Sequence, residues 1–296
     1  MIQTVHGKPE THFLTLPDGR RLAYARYGAQ SGRPLFYLHG LPGSRYECQL
    51  IDAPACEAGV SVIAPDRPGY GLTPLRRDPS LCAWTNDIAA LADRLGIDRF
   101  GVIGVSGGGP CALACAHEMP ERVRVAALVA SLGPISETSL RGAMKRPARF
   151  LFYLANQMPA LFRLIVAQPV IQLSRIRPEW LIRLVAAANG GPDKRILLEP
   201  PILQAFTLSI QACFQQGALG SMQDLRLFRQ PWGFELGNIR PPVHLWHGEL
   251  DKIVPPSHSR HLHSRLPNSS LDIVPQEGHF SLPLKHMRDF LETVRA

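Results

Sequence analysis

The sequence predicts an α/β protein in which a mostly parallel sheet is covered by helices on both faces. Short apolar strands alternate with helical stretches over residues 11–130 and again after residue 241, and this alternation is typical of parallel sheets flanked by helices. Between these regions, residues 135–235 show no strand signal and contain amphipathic helices punctuated by prolines. We therefore expect a core domain built from residues 1–134 and 236–296, with an inserted all-helical cap domain at 135–235.

Each element of the core can be placed from its own pattern. Residues 11–16 and 21–27 lie on either side of a Pro-Asp-Gly-Arg turn and predict a β-hairpin. Further strands are expected at residues 35–38, 60–64, 100–105, 123–130, 242–247 and 271–274, and helices at residues 45–57, 82–95, 111–118 and 282–294.

The composition is that of an ordinary soluble globular protein, with 296 residues of which 45% are hydrophobic and 19% charged. The first eight residues lack the charged and apolar regions of a signal peptide, and no uninterrupted apolar run reaches the roughly 20 residues that span a bilayer. Six scattered cysteines show neither disulfide nor zinc spacing. His258, His261 and His263 lack nearby carboxylate ligands, so no metal is expected. These features predict a cytoplasmic protein without a membrane span.

The net charge of +8 is concentrated in the helical block, where residues 135–230 hold 12 lysines and arginines against five acidic residues. A basic face of this kind favours anionic substrates or a membrane surface, although a solvated helical surface is the simpler interpretation. The arginines are not interleaved with aromatic residues, and no zinc-finger or RNA-binding signature is present. Nucleic acid is therefore not an expected partner, and the sequence does not indicate an oligomeric state.

The most informative motif is Gly104-Val-Ser106-Gly-Gly108, because it places a serine between a predicted strand and a predicted helix. In a Gly-x-Ser-x-Gly nucleophile elbow, the glycines two residues before and after the serine allow strand and helix to approach closely. The strained turn exposes the serine hydroxyl, and the following helix directs its free N–H groups at an oxyanion forming there. Ser106 is therefore the candidate nucleophile.

A serine nucleophile needs a base that is held by a third group, and two side chains follow strands of the predicted sheet. Asp251 comes after the strand at 242–247, and His279 comes after the strand at 271–274. Loops that leave the carboxyl ends of parallel strands gather at one rim, which is also where Ser106 emerges. The order Ser, Asp, His along the chain is the one expected with this elbow.

These motifs make the chain similar to α/β-hydrolase fold enzymes that carry an inserted helical cap. The resemblance extends from the first hairpin to the last helix and implies a mostly parallel, eight-stranded sheet. By this resemblance Ser106 would be the nucleophile and His279 the general base and then the acid. Asp251 would orient His279.

The same resemblance implies an oxyanion hole. Its first donor would be the N–H of Gly107, directly after the nucleophile. The loop His39-Gly-Leu-Pro matches the family's His-Gly-x-Pro pattern, and the second donor would be the N–H of Leu41. His39 and Gly40 would support this loop, with His39 as a structural residue because His279 already fits the role of base.

Other acids and histidines have structural interpretations at this stage. Asp66 begins an Asp-Arg-Pro-Gly-Tyr-Gly loop that resembles a structural motif of the same family. His244 and His247 lie on a strand, where packing is their expected role. Glu277 is close to His279 in sequence and is expected to be a carboxylate at the rim of the site.

The serine indicates which reaction to expect. The His-Gly-Leu-Pro and Asp-Arg-Pro-Gly-Tyr-Gly loops are similar to those of epoxide hydrolases and haloalkane dehalogenases, which attack saturated carbon with an aspartate. A serine bound to saturated carbon would form a stable ether, so Ser106 indicates acyl transfer at a carbonyl carbon. We predict a serine hydrolase with an acyl-enzyme intermediate and no cofactor, acting as a carboxylesterase on small to medium apolar acyl esters.

Alternatives remain open from the sequence. A prolyl aminopeptidase would need cap acids to hold the amino group of its substrate, and Glu179 and Glu199 are the candidates in this basic cap. A carbon–carbon hydrolase of ring-cleavage products would take an anionic substrate, which a basic cap suits. Haloperoxidase chemistry could accompany the same triad as a side reaction. A ligand-binding protein of the same fold would bind without turnover.

Overall fold

The computed structural model describes residues 9–295. The predicted absence of a signal peptide rests on residues 1–8, which lie outside the described part. An eight-stranded sheet forms the centre of the molecule, with strand order β1-β2-β4-β3-β5-β6-β7-β8. The strands are β1 His12–Thr15, β2 Arg21–Gly28, β3 Arg33–Leu38, β4 Val60–Pro65, β5 Phe100–Val105, β6 Val123–Val129, β7 Val243–Gly248 and β8 Ser269–Val274. Strand β2 pairs antiparallel with β1 and β4, and every other pairing is parallel. The predicted mostly parallel sheet is confirmed.

Helices cover both faces of this sheet. In chain order they are α1 Asp52–Glu57, α2 Leu81–Arg94, α3 Gly109–Glu118, α4 Thr138–Ala143, α5 Arg146–Gln157, α6 Pro159–Phe162, α7 Gln168–Ile176, α8 Pro178–Asn189, α9 Gly191–Leu197, α10 Pro200–Cys213, α11 Leu219–Leu227, α12 Ser257–Arg265, α13 Ser281–Lys285 and α14 Met287–Arg295. Alternate residues of β5 enter different cores: Val102 belongs to the apolar cluster that includes Leu113 of α3, whereas Ile103 belongs to the one that includes Phe290 of α14. Because both sides are covered, β5 is buried along its whole length.

Two predicted helices are interrupted in the structure. The segment expected as one helix at 45–57 is a 3-10 helix, Arg45–Ile51, followed by α1. The closing helix expected at 282–294 is divided into α13 and α14. The division allows α13 to pack against α9, while α14 packs against β5 and β6, so the two pieces serve different neighbours.

The segment between β6 and β7 is helical from α4 to α11, apart from its turns. Each helix from α5 to α10 has a proline in its first turn, where the ring starts a helix without removing a needed hydrogen bond. These helices contribute most of an apolar cluster that includes Leu154, Ile171, Ile182 and Ile202, and Tyr70 from outside the segment joins it. A π-helical turn, Arg163–Ala167, joins α6 to α7.

No single helix among residues 9–295 is long and apolar enough to cross a membrane. By length and composition alone, α9 and α10 together would meet that criterion, but the two axes are bent by 85° at the break between them.

Candidate active site

The turn after β5 has the backbone that a nucleophile elbow requires. Ser106 adopts a φ of 54°, in the left-handed region that disfavours side chains, and such strain is held at functional sites by the surrounding structure. A Cβ on Gly104 would lie 2.5 Å from the carbonyl oxygen of Gly108, and a Cβ on Gly108 would lie 2.0 Å from that of Leu38. Glycine is therefore required at both positions for strand and helix to cross so closely.

The structure brings Ser106, His279 and Asp251 together at the carboxyl ends of β5, β8 and β7. The hydroxyl of Ser106 lies 3.0 Å from Nε2 of His279, and Nδ1 of His279 lies 2.6 Å from Oδ2 of Asp251. With the proton on Nδ1, the imidazole donates to the carboxylate and accepts the serine proton at Nε2. This is the geometry of a nucleophile, a base and a group that orients the base.

The pKa values of these buried groups follow from their contacts. Burial alone would lower the pKa of His279, but the carboxylates of Asp251, Asp193 and Glu47, with Asp251 contributing most, together raise this pKa above the ordinary value of 6.5. Burial would raise the pKa of Asp251, but its contacts with His279 and His247 hold it well below its ordinary value. Asp251 is therefore ionised at neutral pH and stabilises a positive charge on His279.

The two predicted oxyanion donors are neighbours. The backbone nitrogen of Leu41 lies 3.3 Å from the position that a Cβ on Gly107 would occupy, and both residues line a cavity that Ser106 also lines. The loop that carries Leu41 is held by buried Arg67, whose guanidinium donates to the carbonyl oxygens of His39 and, at 3.0 Å, Gly40.

His39 is held by hydrogen bonds to backbone groups. It is fully buried, its Nε2 accepts from the backbone N–H of Arg67 at 3.1 Å, and its Nδ1 lies 2.9 Å from the carbonyl oxygen of Gly40. Burial and the charge of Arg67 lower the pKa of His39 well below its ordinary value. It is neutral and has no contact with Ser106 that would make it a base.

Similarity to known proteins shows the family of this chain. The model of the alpha/beta hydrolase family matches residues 35–293. The chain belongs to this family. An uncharacterized protein of Mycobacterium tuberculosis (strain H37Rv) is 26% identical to this chain over 283 residues. The alignment covers 92% of this chain and 76% of that protein. A soluble epoxide hydrolase of Corynebacterium sp. (strain C12) is 37% identical to this chain over 110 residues. That alignment covers 36% of this chain and 37% of that enzyme.

Solved structures show the same fold. An alpha/beta hydrolase fold protein from Nakamurella multipartita resembles this chain with a TM-score of 0.72 at 24% sequence identity, over 97% of this chain and 99% of that one. The α/β-hydrolase fold predicted from the sequence is therefore confirmed.

One polar partner in this alpha/beta hydrolase was missed by the sequence analysis. His247 was expected to pack, but its Nε2 lies 3.2 Å from Oδ2 of Asp251 and donates to the carbonyl oxygen of Val254 at 2.8 Å. Its Nδ1 accepts from the hydroxyl of Ser259 at 2.6 Å. His247 is completely buried and borders the carboxylate of Asp251, which also contacts His279. Its position four residues before Asp251 on the preceding strand was the available signal.

A second missed residue belongs to the helical segment. Asp193 of α9 is buried, and its carboxylate accepts three backbone N–H groups: His279 at 3.0 Å, Phe280 at 2.9 Å and Ser281 at 2.9 Å. Nearby, Nζ of Lys252 donates to the carbonyl oxygen of Asn189 at 2.7 Å. The junction between α8 and α9 thus contacts both the His279 loop and the Asp251 loop.

The loop that carries Leu41 is also connected to the helical segment. Arg67 pairs with Asp224 of α11, whose Oδ2 lies 2.9 Å from the guanidinium and accepts from the hydroxyl of Tyr70 at 2.7 Å. Asp66, the first residue of the same loop motif, pairs instead with Arg45 and accepts the backbone N–H of Arg45 at 2.8 Å. Asp66 is therefore structural, as expected.

The remaining candidates lie away from Ser106. Glu277 pairs with Lys285 at 2.8 Å, and His244 lies 2.7 Å from the hydroxyl of Ser270.

The α12 histidines have separate partners: His258 contacts Gly133, His261 contacts Glu137 and His263 contacts Ser269. Within residues 9–295, no three His, Cys, Asp or Glu side chains gather in a way that could hold a metal ion.

Two cavities meet at Ser106. The larger, about 280 Å³, is lined by Gly107 and otherwise by mainly apolar side chains, many of them from the helical segment, such as Met144, Phe162 and Val166. The smaller, about 180 Å³, is lined by His279, Tyr37 and Glu47 together with apolar side chains, and no lysine or arginine lines either cavity.

Glu47 was not singled out from the sequence. Its carboxylate accepts from the hydroxyl of Tyr37 at 2.8 Å and from the N–H of Gly40 at 3.2 Å. Burial raises its pKa above the ordinary value, in spite of these hydrogen bonds. It is an acidic group in an otherwise largely apolar cavity, next to the loop that carries Leu41.

Proposed function

We propose that this alpha/beta hydrolase cleaves carboxylic esters through an acyl-enzyme on Ser106. The observation that carries the proposal is the continuous hydrogen-bonded series from the Ser106 hydroxyl through His279 to Asp251, at 3.0 Å and 2.6 Å. A serine activated in this way attacks a carbonyl carbon. The coarser conclusion, a protein of the alpha/beta hydrolase family, rests on the family match itself.

The reaction would proceed in two halves. The Ser106 oxygen attacks the ester carbonyl while Nε2 of His279 takes its proton, and the N–H groups of Leu41 and Gly107 stabilise the oxyanion. His279 then protonates the departing alcohol, which leaves an acyl group on Ser106. A water molecule activated by His279 attacks this acyl-enzyme and releases the carboxylic acid.

The two cavities suggest where the parts of the ester bind. The alcohol must receive its proton from His279, so it is assigned to the smaller cavity, which His279 lines. The acyl chain is assigned to the larger cavity, whose lining is almost entirely apolar. This arrangement supports small to medium apolar acyl groups.

The same lining argues against two alternatives. The acids considered for an aminopeptidase, Glu179 and Glu199, line neither cavity, and the carboxylate that does, Glu47, already accepts from Tyr37 and Gly40. A carbon–carbon hydrolase with an anionic substrate would need a counter-charge near the substrate, and no lysine or arginine lines either cavity in the described part of the chain. A neutral ester fits these surroundings without an unpaired buried charge.

The proposal extends to the organisation of the chain. Residues 135–235 would form the cap domain over a core of residues 1–134 and 236–296, because the helical segment supplies much of the lining of the larger cavity. The reaction needs no cofactor, since the triad and the two N–H groups supply its acid, base and electrophilic groups. Cytoplasmic location remains part of the proposal.

Labelling with a fluorophosphonate tests the proposed nucleophile. Intact mass should show one adduct on the wild type, none on Ser106→Ala and an unchanged adduct on the control Ser264→Ala, whose hydroxyl lies on the surface helix α12. A single adduct on Ser106 would justify comparing unlabelled wild type on esters of increasing acyl length. A folded wild type that takes no label would move the ligand-binding alternative to first place.

A further inference from the structure

The outer surface of the helical segment exposes an unusual number of large apolar side chains. Of the fourteen large hydrophobic residues that are exposed in the described part of the chain, all but Phe13, Leu75, Leu219 and Leu250 lie between residues 150 and 184. The most exposed of these ten are Ile176 at 70%, Leu164 at 67%, Leu184 at 57%, Phe150 at 56% and Trp180 at 54%. Apolar surface concentrated in this way marks an interaction site.

The ten residues belong to consecutive elements that pack on one another. They lie on α5 to α8 and on the turns between these helices, including the π-helical turn Arg163–Ala167. Helix α5 contacts α6, both α6 and α7 contact the π-helical turn, and α7 contacts α8. We call the exposed side chains of residues 146–184 the outer face.

Arginines are interspersed along the outer face. Residues 146–184 contain six arginines and one acidic residue, Glu179. All six arginines are exposed, and none forms an ion pair with an acidic side chain of residues 9–295. They are Arg146, Arg149, Arg163, Arg175, Arg177 and Arg183. The face therefore offers apolar side chains and unpaired positive charges together.

The larger cavity opens toward this face. Leu151 of α5 is among the exposed residues of the outer face and also lines the larger cavity. Val166 of the π-helical turn lines the cavity as well, next in sequence to Leu164 and Ile165, which are exposed. A surface that covers the outer face would therefore lie beside the mouth of the cavity that reaches Ser106.

We propose that the outer face docks on the surface of an anionic lipid bilayer. Exposed Trp, Phe and Leu side chains with arginines among them are what interfacial helices use, because the apolar groups enter the headgroup region and the arginines pair with anionic headgroups. The occupant is identified by charge: an anionic surface complements six arginines. A second copy of this chain would place the same arginines against each other, which the single Glu179 cannot offset.

Docking on a bilayer does not depend on the proposed ester hydrolysis, but it would add a source of substrate to that function. Apolar acyl esters partition into bilayers, so a docked enzyme would meet them at the mouth of the larger cavity. The test below measures binding alone and can be made with Ser106→Ala, so its failure would leave the proposed function untouched.

Trp180 provides the readout. The other three tryptophans are at most 9% exposed, whereas Trp180 is 54% exposed. Vesicles of phosphatidylcholine alone and of phosphatidylcholine with one-third phosphatidylglycerol would be added while tryptophan emission is recorded. We expect a blue shift and at least about tenfold more co-flotation with the anionic vesicles, both reduced by salt because screening weakens exposed charge pairs. Trp180→Phe should lose most of the blue shift.

Paired variants separate the two features of the face. Leu164→Ser and Arg177→Gln should each reduce co-flotation with anionic vesicles severalfold. The matched controls Phe13→Ser and Arg26→Gln change exposed residues on β1 and β2 and should bind as the wild type does.

Three results would overturn the inference. Absence of co-flotation with anionic vesicles would do so, as would equal binding by the outer-face variants and their controls. A stable dimer of the free protein in light scattering that dissociates in Leu164→Ser would instead show that the face joins two copies of the chain.

Discussion

Replacing Asp193 tests whether the helical segment holds the His279 loop in its working position. The carboxylate accepts three buried N–H groups, with Oδ1 serving Phe280 and Ser281 and Oδ2 serving His279. In Asp193→Asn the remaining carbonyl oxygen can still serve Phe280 and Ser281. The new amide group would then face the N–H of His279, so two donors would oppose each other.

The size of the effect can be worked from these contacts. A buried donor left without a partner costs about 1–3 kcal/mol of unfolding free energy. Asp193→Asn leaves one N–H without an acceptor, so its unfolding free energy should fall by about that amount. Asp193→Ala leaves all three N–H groups without an acceptor, and partial rehydration of these groups should limit the loss of unfolding free energy to about 3–6 kcal/mol. A shift of the imidazole by about 1 Å can lower turnover about 100-fold.

The assay combines unfolding by urea with steady-state hydrolysis of an activated ester. We expect Asp193→Asn to lower kcat about 10- to 100-fold with little change in KM, because Asp193 lines neither cavity. Glu199→Gln is the matched control, since Glu199 lies in the same segment and is exposed. A normal kcat in a destabilised Asp193→Asn would refute the positioning role and leave only a structural one.

Four further results are expected. The kcat/KM should fall at low pH as His279 is protonated, with a midpoint above 6.5 because the pKa of His279 is raised; a midpoint at or below 6.5 would contradict this. Asp251→Asn should lower kcat by up to about 10⁴-fold by favouring the wrong tautomer of His279, whereas near-normal activity would mean that another group orients the base. Arg67→Met should cost about 3–5 kcal/mol in unfolding experiments because it leaves the buried carboxylate of Asp224 unpaired, and a smaller loss would show that water replaces the partner. Glu47→Gln should change KM more for esters of alcohols that carry a hydrogen-bond donor than for esters of alkyl alcohols of equal size, and equal changes would place the alcohol elsewhere.

Local patterns were sufficient to predict the sheet and the turn at Ser106. The strand at 100–105 could be placed because it is a short apolar run that ends at a Gly-x-Ser-x-Gly motif, and both features depend on neighbours in sequence. The positions of Asp251 and His279 followed from a rule of parallel sheets, that loops after strands share one edge. The lengths of the short helices were less predictable, since the division between α13 and α14 depends on contacts with α9 on one side and the sheet on the other.

The polar groups around the triad could not be predicted in the same way. Asp193 lies 86 residues from His279 in the chain, and no local pattern indicates that its carboxylate caps that loop. Glu47 resembles any acid in a first helical turn until Tyr37 and Gly40 are seen to donate to it. In each case the partner is a backbone or side-chain group whose position is set by tertiary packing.

The helical segment is better understood as part of the site than as a detachable cover. Through Asp193 it holds the loop of His279, and through the carbonyl oxygen of Asn189 it contacts Lys252, next to Asp251. Through Asp224 it forms a buried ion pair with Arg67, which donates to the loop that carries Leu41. Lifting the segment as a lid would break that pair and leave charges without partners, which is costly in a protein interior. Substrate should therefore enter at the exposed mouth between the helices rather than by opening the whole segment.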